Sequence, residues 1–280
     1  MRGYLKHKNM TEKILENFSI AQICESGQCF RMEEMQDGRY RVIAGNRYLE
    51  LEQQGKVVRF DCSEVEYQNF WRHYFDIETD YGAIAAQINP NDRYLTAAVQ
   101  TAWGVRILNQ DLWEMIVTFL ISQQNNIVRI RRCIKNICEA YGETKTASNG
   151  VSYYAFPTPE ALAGLEEDDL MACNLGYRSK YVVRTAKAVA SGEVDLAWIS
   201  SLNYQKARAE LLKFFGVGEK VADCICLFAL HHLDAFPVDT HIRQVLEQHY
   251  KRGFPNRRYK GIRGIMQQYI FYYELHGSEK

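Results

Sequence analysis

Lys220 and Asp239 are the residues whose types and setting could do chemistry. Lys220 lies in Leu211-Leu212-Lys213-Phe214-Phe215-Gly216-Val217-Gly218-Glu219-Lys220-Val221-Ala222-Asp223-Cys224. Here one helix ends, a Gly-Val-Gly turn follows and a second, mostly apolar helix begins. Partial burial and the positive end of the helix dipole both favour the neutral amine at Lys220, and a neutral amine is a nucleophile. Cys224 falls one turn on, on the same helix face. Asp239 lies in Phe236-Pro237-Val238-Asp239-Thr240-His241. The residue before proline is held extended, so Asp239 falls where a helix should start. Together the two residues suit a reaction that develops positive charge: the lysine attacks, while the aspartate stabilises the cation or takes a proton. A surface lysine at a helix end and a plain N-cap remain the alternatives.

The elements that must position them are a helical hairpin over about residues 204–230 and the helix after Asp239. Gly216 and Gly218 allow positive φ and close approach to a ligand, and the amides opening the second helix point outward, ready for a phosphate. A nucleotide-binding P-loop needs Gly-Lys-Ser/Thr, whereas Lys220 stands between Glu219 and Val221. Upstream, the pattern alternates over Gln28–Met32, Arg39–Ala44, Tyr48–Leu51 and Val57–Phe60. Asp37-Gly38, Gly45-Asn46 and Gln54-Gly55 sit between these runs, as in an antiparallel meander. From about Ser63 the period becomes helical. Asp111 caps a helix through Trp113, Ile116 and Phe119; Ile127, Ile130, Ile134 and Ile137 mark another, ending at Gly142. Further helices fit 159–165, 181–191, 204–214, 220–230, 240–250 and 259–275. The predicted class is α+β: a small antiparallel β domain (residues 1–103) packed on a larger all-helical domain (104–280).

Composition is that of a globular chain, with 47% apolar and 24% charged residues over 280 positions. It excludes disordered and fibrous classes, and no apolar run reaches the roughly 20 residues a bilayer span needs. The basic start, Met1–Lys8, is followed by no apolar stretch, so no secretory signal and a cytoplasmic location are expected. The eight cysteines form no CxxC pair and are expected as reduced thiols. Net charge is zero, 34 basic against 34 acidic, but unevenly spread. Residues 241–270 hold Arg243, Lys251, Arg252, Arg257, Arg258, Lys260 and Arg263 against Glu247 alone. Such a local face suits a phosphate backbone whatever the total; a solvated charged face is the alternative.

The run from Gly216 to Ile242, GVGEKVADCICLFALHHLDAFPVDTHI, resembles the helix–hairpin–helix Gly/Pro–Asp signature of base-excision DNA glycosylases, and is most similar to the 8-oxoguanine DNA glycosylase family. Ser26–Arg31, Gly104–Ile130, Leu175–Val182 and Met266–Tyr273 resemble further family blocks in the same order, so the likeness spans nearly the whole chain. It implies a β-rich N-terminal domain before a helical one, and excision of 8-oxoguanine from duplex DNA, preferably opposite cytosine, with an associated lyase step. Lys220 matches the family's nucleophilic lysine and Asp239 its catalytic aspartate. Gly27 matches the glycine whose carbonyl receives the N7–H of the oxidised base. Cys224, Gln267 and Phe271 match residues lining the base pocket, Tyr177 the wedge inserted into the duplex, and Arg129 and Arg178 the arginines that hold the widowed cytosine. His241 matches a phosphate contact. The resemblance implies no catalytic metal or organic cofactor, a structural monovalent ion on the hairpin backbone of Phe214 and Val217, and a monomer acting on DNA, with no membrane.

Two positions depart from the pattern. Gln124 stands where the family usually has Asn beside the opposite base, and Met32 where an aromatic residue is common. No cysteine follows Cys226, which excludes the iron–sulfur cluster of relatives that cut oxidised pyrimidines or adenine mispairs. A non-enzymatic DNA-binding module and a glycosylase for alkylated purines are the rival readings. The first leaves Lys220 and Asp239 without use, the second Lys220 and Gly27.

Overall fold

A computed structural model of the chain describes residues 10–277. Five strands form one antiparallel sheet in the order β1-β5-β4-β3-β2. They are β1 (Thr11–Ile14), β2 (Met32–Glu34), β3 (Tyr40–Ala44), β4 (Arg47–Gln54) and β5 (Val57–Phe60). Pairing of Ala44 with Arg47 and of Gln54 with Val57 leaves two-residue turns, Gly45-Asn46 and Gly55-Lys56. Their glycines take φ +56° and +60°, which the tight turn demands. Val42, Leu49, Leu51, Val58 and Phe60 alternate onto one buried face.

The meander is where the sequence placed it, with two differences. β1 pairs with β5 through Thr11↔Phe60 and Ile14↔Val57, an edge strand too polar to show in the pattern. Gln28–Arg31 is not a strand: pairing with β3 starts at Met32, and Gln28 turns its buried amide to the chain at Arg106 and Leu108 instead. A helix, Ile20–Glu25, capped by the Ser19 hydroxyl, precedes this loop.

After Ser63 the chain is helical apart from a small hairpin, Thr144–Thr146 with Ser152–Tyr154. The second domain is therefore mostly rather than entirely helical. Gly142 closes the preceding helix, and Gly150, at φ +85°, turns the hairpin. The helices that frame the site are Leu112–Ser122, Ile127–Tyr141, Ser179–Ala190, Tyr204–Leu211, Glu219–Phe228, Thr240–His249 and Arg263–His276. Asp111 and Asn126 accept from the amides of Glu114 and Arg129, so each caps its helix with its own side chain. The last helix begins at Arg263 rather than Tyr259. Asp234 accepts the Gly261 amide at 2.6 Å, and Gly261 stands at φ +86°, which holds that stretch as a turn.

Two clusters of buried side chains result, one under the sheet around Phe18, Phe60, Trp71 and Phe75, the other among the helices around Ile116, Leu120, Ile134 and Ile225. The halves are tied by a buried pair. Arg31 lies 3.2 Å from Glu114, which also accepts the Gly45 amide at 2.9 Å. Burial holds the Glu114 carboxyl above its usual range, against the pull of Arg31. This links the β3–β4 turn to the helix that carries Phe119. Among the described residues no helix is long and apolar enough to cross a membrane.

Candidate active site

Gly27, Lys220, Cys224, Asp239, Gln267 and Phe271 line one cavity. Four elements bring them there: the loop after the Ile20–Glu25 helix, the hairpin's second helix, the start of Thr240–His249 and the last helix. Gly218 opens the second helix with no side-chain cap, which places Lys220 at its second residue, half-buried. The Lys220 side-chain nitrogen lies 5.5 Å from the centre of the Phe119 ring. Cys224 is buried; desolvation pushes its thiol up to about 11 although Lys220 pulls it down, so it stays protonated at neutral pH.

Asp239 is an N-cap as well as a wall of the cavity. One carboxylate oxygen accepts the Ile242 amide at 2.8 Å, and the helix thereby fixes the carboxylate. Gln267, 3% exposed, donates to the Pro237 carbonyl at 3.2 Å, which steadies the floor beneath Asp239. Gly27 takes φ +72°, and a Cβ there would meet the Phe271 ring at 2.9 Å. Among the described residues its carbonyl accepts no hydrogen bond. With Phe271 seated on Gly27, about 50 Å³ remains. That is room for one or two waters at roughly 30 Å³ of liquid each, and too little for a purine.

Phe119, Phe228, Pro237 and Gln268 complete the lining. The sequence did not single them out: Phe119 and Phe228 stack on each other at 5.6 Å and have the signature of core residues. Only Pro237, inside the Pro–Asp run, carried a signal.

A second group lies around the turn Gln123-Gln124. Gln124 is exposed at φ +45°, a conformation that costs a glutamine energy. Arg129 is exposed, one nitrogen 3.4 Å from the Asn174 carbonyl. Tyr177 is 47% exposed on a single turn, Gly176–Arg178. Arg178, expected to read the widowed base, is engaged by the chain itself in the absence of DNA. It is buried, stacked 4.5 Å from the Tyr177 ring, and its guanidinium donates to the carbonyls of Gln123, Gln124 and Leu175. It holds the turn that presents Gln124.

The hairpin forms between Tyr204–Leu211 and Glu219–Phe228. Gly216 takes φ +89°, with the Tyr181 ring 2.6 Å from where a Cβ would sit, so glycine is required; Gly218 faces open space. The Phe214 carbonyl accepts the Val217 amide at 3.0 Å and keeps a second lone pair, which suits a hard monovalent cation held by backbone oxygens. His241 is exposed, edge-on to Phe271 at 6.3 Å. Among the described residues no group of three or more His, Cys, Asp or Glu could hold a metal ion.

Comparison with known proteins matches this arrangement. Residues 11–116 match the family "8-oxoguanine DNA glycosylase, N-terminal domain", and residues 117–269 the family "HhH-GPD superfamily base excision DNA repair protein". An 8-oxoguanine glycosylase/lyase from Clostridium acetobutylicum, solved with duplex DNA carrying cytosine opposite 8-oxoguanine, superposes with a TM-score of 0.91. It is 37% identical, over 96% of each chain. The N-glycosylase/DNA lyase of Saccharomyces cerevisiae is 29% identical over 87% of this chain and 71% of its own length. A probable N-glycosylase/DNA lyase of Methanothermobacter thermautotrophicus is 32% identical over 65% of this chain and 63% of its own. The chain belongs to the HhH-GPD superfamily of base excision DNA repair proteins, within its 8-oxoguanine DNA glycosylase family.

Proposed function

We propose that the chain removes 8-oxoguanine from duplex DNA, preferably opposite cytosine, and cleaves the abasic strand through a lysine Schiff base. The observation that carries this is one cavity holding a half-buried lysine, a fixed carboxylate and a glycine carbonyl with no partner among the described residues. An alkylated-purine glycosylase needs neither Lys220 nor that carbonyl, and a binding module needs no such pocket.

The base leaves the stack at a cost of a few kcal/mol, and Tyr177 fills the gap. Phe271 must lift off Gly27 to admit the base and then stacks on it, with Gln267 and Cys224 along the rim. The Gly27 carbonyl accepts the N7–H of the oxidised base; guanine offers a lone pair there and is repelled. As the bond between base and sugar lengthens, Asp239 stabilises the positive charge on the sugar. The Lys220 amine bonds to C1′, the base departs with the bonding electrons, and loss of a proton and ring opening give the Schiff base. Loss of a C2′ proton then expels the 3′ phosphate. Gly216, Gly218 and His241 contact phosphates, while Gln124 and Arg129 face the widowed base. No cofactor enters these steps.

Borohydride reduction tests the assignment. Wild type on lesion duplex should give a stable covalent adduct, and Lys220→Gln should give none. An adduct that survives in Lys220→Gln would place the nucleophile elsewhere.

A further inference from the structure

The Gly27 carbonyl can discriminate only if it is held still, yet glycine, here at positive φ, is the most permissive of residue types. Its own contact in the cavity is Phe271, which must move. Rigidity has to come from its neighbours. Ser26 and Gln28 are both fully buried, an unusual place for two polar side chains. The Ser26 hydroxyl donates to the Ile23 carbonyl at 2.7 Å and accepts from the Gln28 amide at 2.8 Å. The same amide donates to the Arg106 carbonyl and accepts the Leu108 N–H, both at 2.8 Å. The Gln28 backbone carbonyl, one peptide beyond that of Gly27, accepts from the Gln110 side chain at 2.9 Å. Gln110 is 7% exposed, and its own N–H donates to the Phe228 carbonyl at 3.1 Å. Phe228 ends the helix whose second residue is Lys220.

We infer that Gln28 and Gln110 are positioning residues that set the Gly27 carbonyl in register with the Lys220 helix, and so determine selectivity for the oxidised base. The inference rests on the glycosylase reading above. Gln28 fixes the loop to the segment 106–108, and Gln110 joins that loop to the catalytic helix. Neither touches the base. A displacement of about 1 Å at a reacting or recognising group costs on the order of 10²-fold in rate. Loss of either glutamine should cost that much where the carbonyl is used and little where it is not.

An abasic site provides the second case: it still needs Lys220 but offers no N7–H. Gln28→Met and Gln110→Met keep volume and remove the hydrogen bonds. Single-turnover excision of 8-oxoguanine opposite cytosine should fall on the order of 10²-fold in each variant. Cleavage and borohydride trapping on an abasic duplex should stay near wild type. Parallel loss of both activities would make the glutamines merely structural, and unchanged excision would remove any role; either overturns the inference. Gln28→Met orphans the Leu108 N–H, so it could fail to fold. Gln110→Met, which keeps every side-chain bond of Gln28 and its own bond to Phe228, then decides alone. Wild type that cuts abasic DNA yet ignores 8-oxoguanine would instead retire the glycosylase reading, and this inference with it.

Discussion

Asp239 shows how one residue answers two physical demands. As an N-cap it satisfies the Ile242 amide, and as a cavity wall it presents a negative charge. Asparagine caps about as well as aspartate but carries no charge. Asp239→Asn should therefore leave the Thr240–His249 helix intact and slow the chemical step by on the order of 10²-fold, since stabilisation of a developing cation is a large effect. Duplex affinity should hardly change. Single-turnover rates and equilibrium binding, measured on the same duplex, separate the two roles. A variant that reacts normally but binds poorly would leave Asp239 only its cap.

The turn Gln123-Gln124 is where an element decides specificity. Cytosine without its partner presents O2 and N3 as acceptors, which Arg129 can meet with donors, whereas thymine presents an N3–H. One such mismatch costs about 1–3 kcal/mol, so excision opposite cytosine should exceed that opposite thymine by roughly tenfold or more. Arg129→Ala should flatten the preference. Asparagine tolerates the left-handed backbone better than glutamine does. Gln124→Asn, at φ +45°, should therefore sharpen the preference without loss of stability. Equal single-turnover rates opposite all four bases in wild type would show that this turn reads nothing. The turn also marks the limit of what the sequence can tell. Local features were legible: the Gly-Val-Gly turn, the Pro–Asp cap, the cap at Asp111 and the helix end at Gly142. The partners of Arg178 within the chain were not, because its guanidinium donates to carbonyls 54 and 55 residues away. Gln28–Arg31 alternates like a strand, and only the distant segment 106–110 makes it a loop. Phe119 and Phe228 carry no mark that separates a pocket wall from a core.

At the scale of the whole molecule, zero net charge conceals an uneven surface. On the sheet several cations are matched: Arg59 pairs with Glu12 and Glu52, Lys56 with Glu16, and Arg41 with Glu33. Arg263 pairs with Asp234. Arg243, Lys251, Arg252, Arg257, Arg258 and Lys260 are exposed, with no ion pair among the described residues. If phosphates meet this face, counterions leave on binding, and log affinity falls with log salt at about −0.9 per phosphate neutralised. Wild type should show a slope of roughly −3 to −5 on lesion duplex, a range set by three to five such contacts at about that increment. Reversing Arg257 and Arg258 to glutamate should make the slope shallower by about two, one for each lost contact. Excision at saturating enzyme should hold, since neither side chain lines the cavity. Reversing Lys56, already matched on the sheet, should leave the slope where it was. A slope that Arg257 and Arg258 do not move would make the basic stretch a solvated face and leave DNA binding to the hairpin amides and His241.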